Sequence, residues 1–286
     1  MTFRSPSLAD VVTTLQVDQI DDDSFVAIQL DNAVHHIVGG HIAGQALMAA
    51  SRTAPGRTPH SVHVYYLRAG DARRPVDFQV VRSRDGGTLS TRQVTARQDG
   101  EVLLEALASF STPVDGLDHQ LPISDVPEPE SLPPVQVQLA SFADEHRGHW
   151  VRQQPFDLRY VDPPPRLALE LPEPSSRIRM WWRPTEPVPE DRVLHSCLLT
   201  YLSGTTMLET AITMRRATPV TTFSALIDHA LWFHRPVDLS DWVLSDQSSP
   251  SGVGGRGLAS ATMYNRAGQL VCIATQELYF GRPQTG

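Results

Sequence analysis

Hydrophobic and polar positions follow two rhythms along the chain, and each rhythm occurs twice. In GGHIAGQALMAASRTA (39–54), Gly39, Ala43, Ala46 and Ala50 recur at helical spacing. Alternating runs follow at 61–68, 76–82, 88–98 and 101–110, and a period of two predicts strands there. The order then repeats. HSCLLTYLSGTTMLETAI and its flanks predict one helix over 194–212, and strands are predicted over 223–235, 242–246, 257–265 and 269–280. Between these stretches, 15 of the 23 prolines fall from Pro113 to Pro189, including the PPP of 163–165. That density rules out long helices and central strands, so the middle of the chain is expected to be linker or edge structure.

The two stretches also align with each other. Tyr65-Tyr66-Leu67-Arg68 matches Trp232-Phe233-His234-Arg235 at an offset of 167, and the turn glycines Gly86-Gly87 and Gly100 match Gly254-Gly255 and Gly268 at 168. A nearly constant offset with turns in register indicates an internal duplication. A helix wrapped by an antiparallel sheet, present twice, predicts an α+β double hot dog. Each half then covers the sheet edge and apolar face that the other leaves open. The expected division is an N-terminal repeat over 1–115, a proline-rich linker over 116–176 and a C-terminal repeat over 177–286.

Candidate chemistry concentrates in the second repeat. At 100° per residue, Cys197, Tyr201, Gly204, Leu208 and Ile212 form one stripe, which puts Gly204 on the inward face of its helix. The apolar period continues past it, so it is not a terminator. Its cost of about 1 kcal/mol against Ala fits either a close backbone approach or room for a ligand. On the last strand, alternation groups Gln276 with Cys272, Ala274, Leu278 and Phe280. An amide on such a face either ties down a loop or orients a water or substrate carbonyl, because leaving it unsatisfied costs about 1–3 kcal/mol. Leu226 and Asp228 share one strand face and His229 takes the other, so Asp228 and His229 cannot act as one dyad. Asp228 is a candidate base. Thr205 lies at the edge of the helical stripe, and Glu209 is expected to project into solvent.

In the first repeat, Gly39-Gly40 opens a helix, where unpaired amides suit an oxyanion or phosphate as well as close packing. His35, His36 and His41 cluster there with no acidic or thiolate partner in a zinc spacing, so loop or surface positions are expected and no metal is. The glycine-rich SPSGVGGRGLAS (249–260) lacks the Lys-Ser/Thr of a phosphate-binding P-loop. It predicts a bulged sheet turn, with Arg256 as a candidate contact for ligand phosphates.

Bulk composition narrows the classes. A net charge of −8 without a basic run argues against nucleic acid. The start has no signal-peptide core, and no apolar run reaches membrane-spanning length. Cys197 and Cys272 lie far apart in apolar surroundings, as two reduced thiols of a cytoplasmic protein would.

GGHIAGQALMAA, HVYYLRAGD, SRDGGTLSTRQVTARQDG, LHSCLLTYLSG, IDHALWFHRP and ATQE resemble the acyl-CoA thioesterase II family over nearly the whole chain, most weakly in the proline-rich middle. The resemblance implies hydrolysis of an acyl-CoA without a cofactor, by a homo-oligomer. It also implies three water-activating side chains in the second repeat: an Asp on the helix, a Thr or Ser on the next strand and a Gln on the last. Gln276 keeps the third position. The first two are occupied by Gly204 and Leu226. Two outcomes stay open: a thioesterase with a degenerate site, in which Asp228 is the candidate substitute base, or a non-catalytic acyl-CoA binding protein. No hydratase-type motif is present.

Overall fold

The computed structural model describes residues 5–281 apart from 31, 33, 124, 153 and 217–223. The first repeat runs α1 (Leu8–Leu15), β1 (Asp18–Asp21), β2 (Ser24–Ala27), α2 (Gly39–Arg52), β3 (Thr58–Tyr66), β4 (Val76–Asp85), β5 (Leu89–Gln98) and β6 (Glu101–Ser111). The connection carries α3 (Val135–Gln138), β7 (Phe156–Tyr160) and α4 (Pro165–Ala168). The second repeat continues with β8 (Arg177–Pro184), α5 (Arg192–Thr206), α6 (Leu208–Met214), β9 (Ser224–Leu226), β10 (Asp228–Phe233), β11 (Val243–Val253), β12 (Arg256–Asn265) and β13 (Leu270–Phe280).

All the strands join one antiparallel sheet in the order β1-β2-β4-β5-β6-β3-β10-β13-β12-β11-β8-β7, with β9 also on β13. This order reads the same from either end once β1, β2, β4, β5, β6 and β3 are matched to β7, β8, β11, β12, β13 and β10. The duplication is therefore built into the sheet. Its centre is the β3–β10 pair, where Ala230 stands opposite His63, the residue 167 positions earlier. A residue paired with its own repeat-mate marks the local twofold.

Both long helices pack against the sheet and touch each other. Every residue of α2 from Gly40 to Ser51 is buried, as expected of a helix rich in Gly and Ala that is enclosed on all sides. The sheet places Val62, Val64, Leu104, Ala106 and Ala108 beneath it, all at most 4% exposed.

The proline-rich region departs from the expected division: β7 falls inside 116–176, yet it pairs with β8 and extends the second repeat's sheet. It is the last strand of the sheet, where missing backbone donors are tolerated. A second departure concerns the helix predicted over 194–212. It is two helices, and the break is at Met207 rather than Gly204. Thr205 and Thr206 bond back to the carbonyls of Tyr201 and Leu202, a pattern that bends helices. The 249–260 segment forms the β11–β12 hairpin with a register shift between Ser248 and Ser251 and left-handed Gly254 and Gly255 at its tip, as predicted.

Candidate active site

The second-repeat candidates converge where α2 begins, α5 passes over it and β9 gives way to β10. α5 crosses α2 at Gly204. A Cβ on Gly204 would stand 2.6 Å from the Gly40 Cα and 3.4 Å from Cε1 of His229. Of the two readings of this glycine, the close backbone approach is the one that holds.

The step from β9 to β10 decides which side chains face inward. Leu226 pairs with Leu278, whereas Ala230 pairs with Thr275, so Ile227 and Asp228 together stand opposite Glu277. This extra residue is a bulge, and it re-aims the chain. Leu226 turns onto the start of α2, where its Cδ1 lies 2.5 Å from the position a Gly39 Cβ would take. His229, three residues on, also faces inward and is fully buried. Strict alternation sets Leu226 with Asp228 on one face and His229 on the other; the bulge instead gives Leu226 and His229 to the interior and sends Asp228 elsewhere. The Asp228 carboxylate accepts the backbone N–H of Glu277 at 2.9 Å.

Gln276 follows Thr275 on β13 just as His229 precedes Ala230 on β10, so the two lie side by side on the inward face. Gln276 is fully buried, and neither its Nε2 nor its Oε1 has a hydrogen-bond partner. Nδ1 of His229 is also unpartnered. Its Nε2 lies 3.2 Å from Ser203 Oγ, whose own hydrogen goes to the Thr200 carbonyl. With the Ser203 hydrogen on Thr200, Nε2 carries the imidazole proton and Nδ1 presents a lone pair. Burial holds this histidine neutral, with its pKa lowered to about 3. A third orphan, Gln247 Oε1, belongs to the same sheet face; its Nε2 donates to Thr206 and Ser245. Buried amides left open in this way mark a place for water or ligand atoms.

At the helix start, Val38 has no side-chain cap to offer, and helix geometry leaves the amides of Gly39 and Gly40 without intrahelical acceptors. Tyr66 closes this corner by donating its hydroxyl to the Gly39 carbonyl at 3.0 Å. Burial, reinforced by the Asp228 charge, keeps its phenol protonated.

Other candidates lie elsewhere. Arg256 is on the outer side of the hairpin, 3.5 Å from the Glu277 carboxylate, and exposed. Thr205 faces a separate cavity behind α5. Two expectations are corrected. Glu209 does not project into solvent: it lines that cavity and accepts the Tyr160 hydroxyl at 2.7 Å, because the proline-rich segment folds over this side of the helices. His41 is not a loop or surface histidine either. It is buried in α2 between Thr14, at 2.9 Å from Nε2, and Gln29, at 3.3 Å from Nδ1. His36 stays exposed, and its backbone forms an isolated antiparallel β-bridge with Asp71. Among the described residues no group of three His, Cys, Asp or Glu side chains is arranged to hold a metal. Burial raises both cysteine thiols, so neither is a thiolate nucleophile.

Sequence reasoning gave His229 no role and missed Ser203 and Gln247. The alternation of DHALWF already grouped His229 with Leu231 and Phe233 on one apolar face. Nothing in the sequence disclosed the bulge that brings this face and Leu226 together.

Two family models match the chain in succession: an acyl-CoA thioesterase N-terminal domain over residues 29–111 and an acyl-CoA thioesterase over 170–279. Acyl-CoA thioesterase 2 of Haemophilus influenzae is 31% identical, across 96% of this chain and 97% of its own. The chain belongs to the acyl-CoA thioesterase II family. Human acyl-coenzyme A thioesterase 8 is 30% identical over 93% of this chain and 87% of its own. Among solved structures, the tesB protein of Mycobacterium avium subs paratuberculosis superposes with a TM-score of 0.82 at 44% identity, covering 96% of this chain and all of that one. Acyl-CoA thioesterase II TesB2 of Mycobacterium marinum does so with 0.79 at 36%, covering 96% and 100%. Within this family, the resemblance assigns an acid to the position of Gly204 and a hydroxyl to that of Leu226. Here the first is filled by the Gly40 backbone and the second by an alkyl group resting on Gly39.

Proposed function

We propose that this protein hydrolyses acyl-CoA to CoA and the free acid, slowly, through a water held by Gln276. The observation that carries the reading is the fully buried Gln276 amide with both polar atoms unpartnered, beside the unpartnered Nδ1 of His229. A water there would donate to Nδ1 and to Oε1 of Gln276 while accepting from Nε2. The free amides of Gly39 and Gly40 lie where negative charge on a thioester oxygen would be stabilised. Attack forms the bond from water oxygen to acyl carbon and breaks the bond to sulfur, and the water's protons end on the acid and the thiol.

Slow turnover follows from Gly204 and Leu226 standing where the family carries an acid and a hydroxyl. Loss of a general base commonly lowers a rate by about 10²–10⁴. A buried imidazole with a pKa near 3 is a poor replacement. Asp228 is a weaker candidate still, since its carboxylate is engaged by Glu277 N. We further assign the protein to the cytoplasm, as its two free buried cysteines favour, and to a homo-oligomer assembled through the unpaired outer edges of β1 and β7. No helix among the described residues is long and apolar enough to cross a membrane.

The test is CoA release from medium- and long-chain acyl-CoAs by the wild type and Gln276→Ala. Slow turnover that falls at least tenfold in the variant supports the proposal. Robust turnover indifferent to Gln276 overturns the mechanism, and tight acyl-CoA binding with no release overturns hydrolysis in favour of a binding protein.

A further inference from the structure

Behind α5, away from Gln276, the junction of α5 and α6 and the β7 segment enclose a cavity of about 270 Å³. Its walls include Trp150, Phe156, Tyr201 and Leu202, with Thr205 and Glu209 facing in. At about 30 Å³ for a water-sized group, that volume holds roughly nine such groups, the bulk of a medium-length chain. Glu209 is the one carboxylate in this lining, which also carries His149, Arg152 and Gln154. Its Oε2 accepts the Tyr160 hydroxyl at 2.7 Å. Among the described residues this carboxyl has no other hydrogen bond or ion pair, and Oε1 is not sealed in the interior. One oxygen is therefore tied to the wall while the other is open to an occupant.

We propose that this cavity binds a medium-length hydrocarbon chain bearing a hydroxyl group, with Glu209 as the residue that selects the hydroxyl. The inference rests on the reading that the protein handles acyl groups, and it adds a second place where a hydroxylated chain binds. A plain alkyl chain would leave the open oxygen dry and unsatisfied. A site made to bond a substrate hydroxyl discriminates against the analogue without it far more strongly than an apolar site discriminates by size. An ammonium group is disfavoured because Arg152 lies at the same cavity. Burial lifts the Glu209 carboxyl to about 7, so near neutrality it can both donate to and accept from a hydroxyl. Thr206 lines the cavity too, and its hydroxyl accepts the Gln247 amide on the other side of the helix. An occupant therefore touches the residue that anchors the polar interior.

The experiment compares binding of ω-hydroxydecanoic acid and decanoic acid by calorimetry to the wild type, Glu209→Leu, Glu209→Gln and Thr205→Trp. The wild type is expected to prefer the hydroxy acid by tenfold or more. Glu209→Leu should abolish that preference, Glu209→Gln should keep most of it through its amide oxygen, and Thr205→Trp should abolish binding by filling the space. Equal or weaker binding of the hydroxy acid by the wild type overturns the proposal even if no variant folds, as does a preference that survives Glu209→Leu. CoA release is measured separately. Binding selectivity without release would remove hydrolysis and leave this site standing; release without selectivity would do the reverse.

Discussion

Gly40 and Gly204 meet backbone to backbone where α2 crosses α5, and a Cβ on Gly204 would fall 2.6 Å from the Gly40 Cα. The obstacle is main chain, which cannot rotate away. Gly204→Ala is thus expected to destabilise the protein by about 1–3 kcal/mol through overpacking, outweighing the roughly 1 kcal/mol that alanine gains in a helix. Gly204→Asp should cost more and should not restore turnover, even combined with Leu226→Thr, because the acid can enter only by parting the helices. Denaturant unfolding and CoA release measure the two halves of this expectation. A folded, faster Gly204→Asp variant would contradict it.

Gln276 should separate stability from function. Its amide makes no protein hydrogen bond, so Gln276→Leu removes a buried polar group without breaking one. Unfolding free energy is expected to stay level or rise by about 1–3 kcal/mol, while CoA release falls. A loss of several kcal/mol would mean that the amide is structural.

Acid should unfold this protein partly through two histidines. Burial lowers both His41 and His229 to about 3, below the ordinary value of 6.5. Above 6.5 both are neutral in the folded and unfolded chains. As pH falls below 6.5 the unfolded chain binds protons that the folded chain refuses, and stability drops until about pH 3. The cost is on the order of several kcal/mol per histidine. Stability against pH for His229→Gln should be visibly flatter over about pH 6 to 4, where the unfolded imidazole is charged and the folded one is neutral.

Glu209 acts in the opposite direction. Its folded pKa of about 7 lies above its ordinary 4.5, so below 4.5 it is protonated in both states and carries no penalty. Between 4.5 and 7 the unfolded chain releases its proton first, and stability declines as pH rises. Relative to the wild type, Glu209→Gln should therefore gain stability across this window and not below it. Thermal melts at several pH values report it, and a constant difference would dismiss the titration.

Leu226→Thr tests the other altered position. Shortening this side chain uncovers the start of α2 at Gly39, which Leu226 now covers, and gives water a hydroxyl there. CoA release is expected to rise modestly with a stability loss of about 1–3 kcal/mol. Unchanged release with unchanged stability would show that Leu226 does not occlude the helix start.

The sequence by itself determined the duplicated helix-and-meander order, the hairpin of 249–260 and the inward faces of the long strands, because periods of 3.6 and 2 are local properties of the backbone. It also determined Gln276, since an amide among Cys272, Ala274 and Leu278 stands out by chemistry alone. Only the tertiary structure decided what Gly204 means, because the atom that bars a side chain there belongs to Gly40, 164 positions away. The same holds for Glu209, which solvent loses to a proline-rich segment whose path no periodicity records. It holds again for Leu226 and His229, which one bulged residue opposite Glu277 turns to a common interior. Local rhythm fixes which way a side chain leaves its own strand or helix; what it then meets depends on chain brought there by packing.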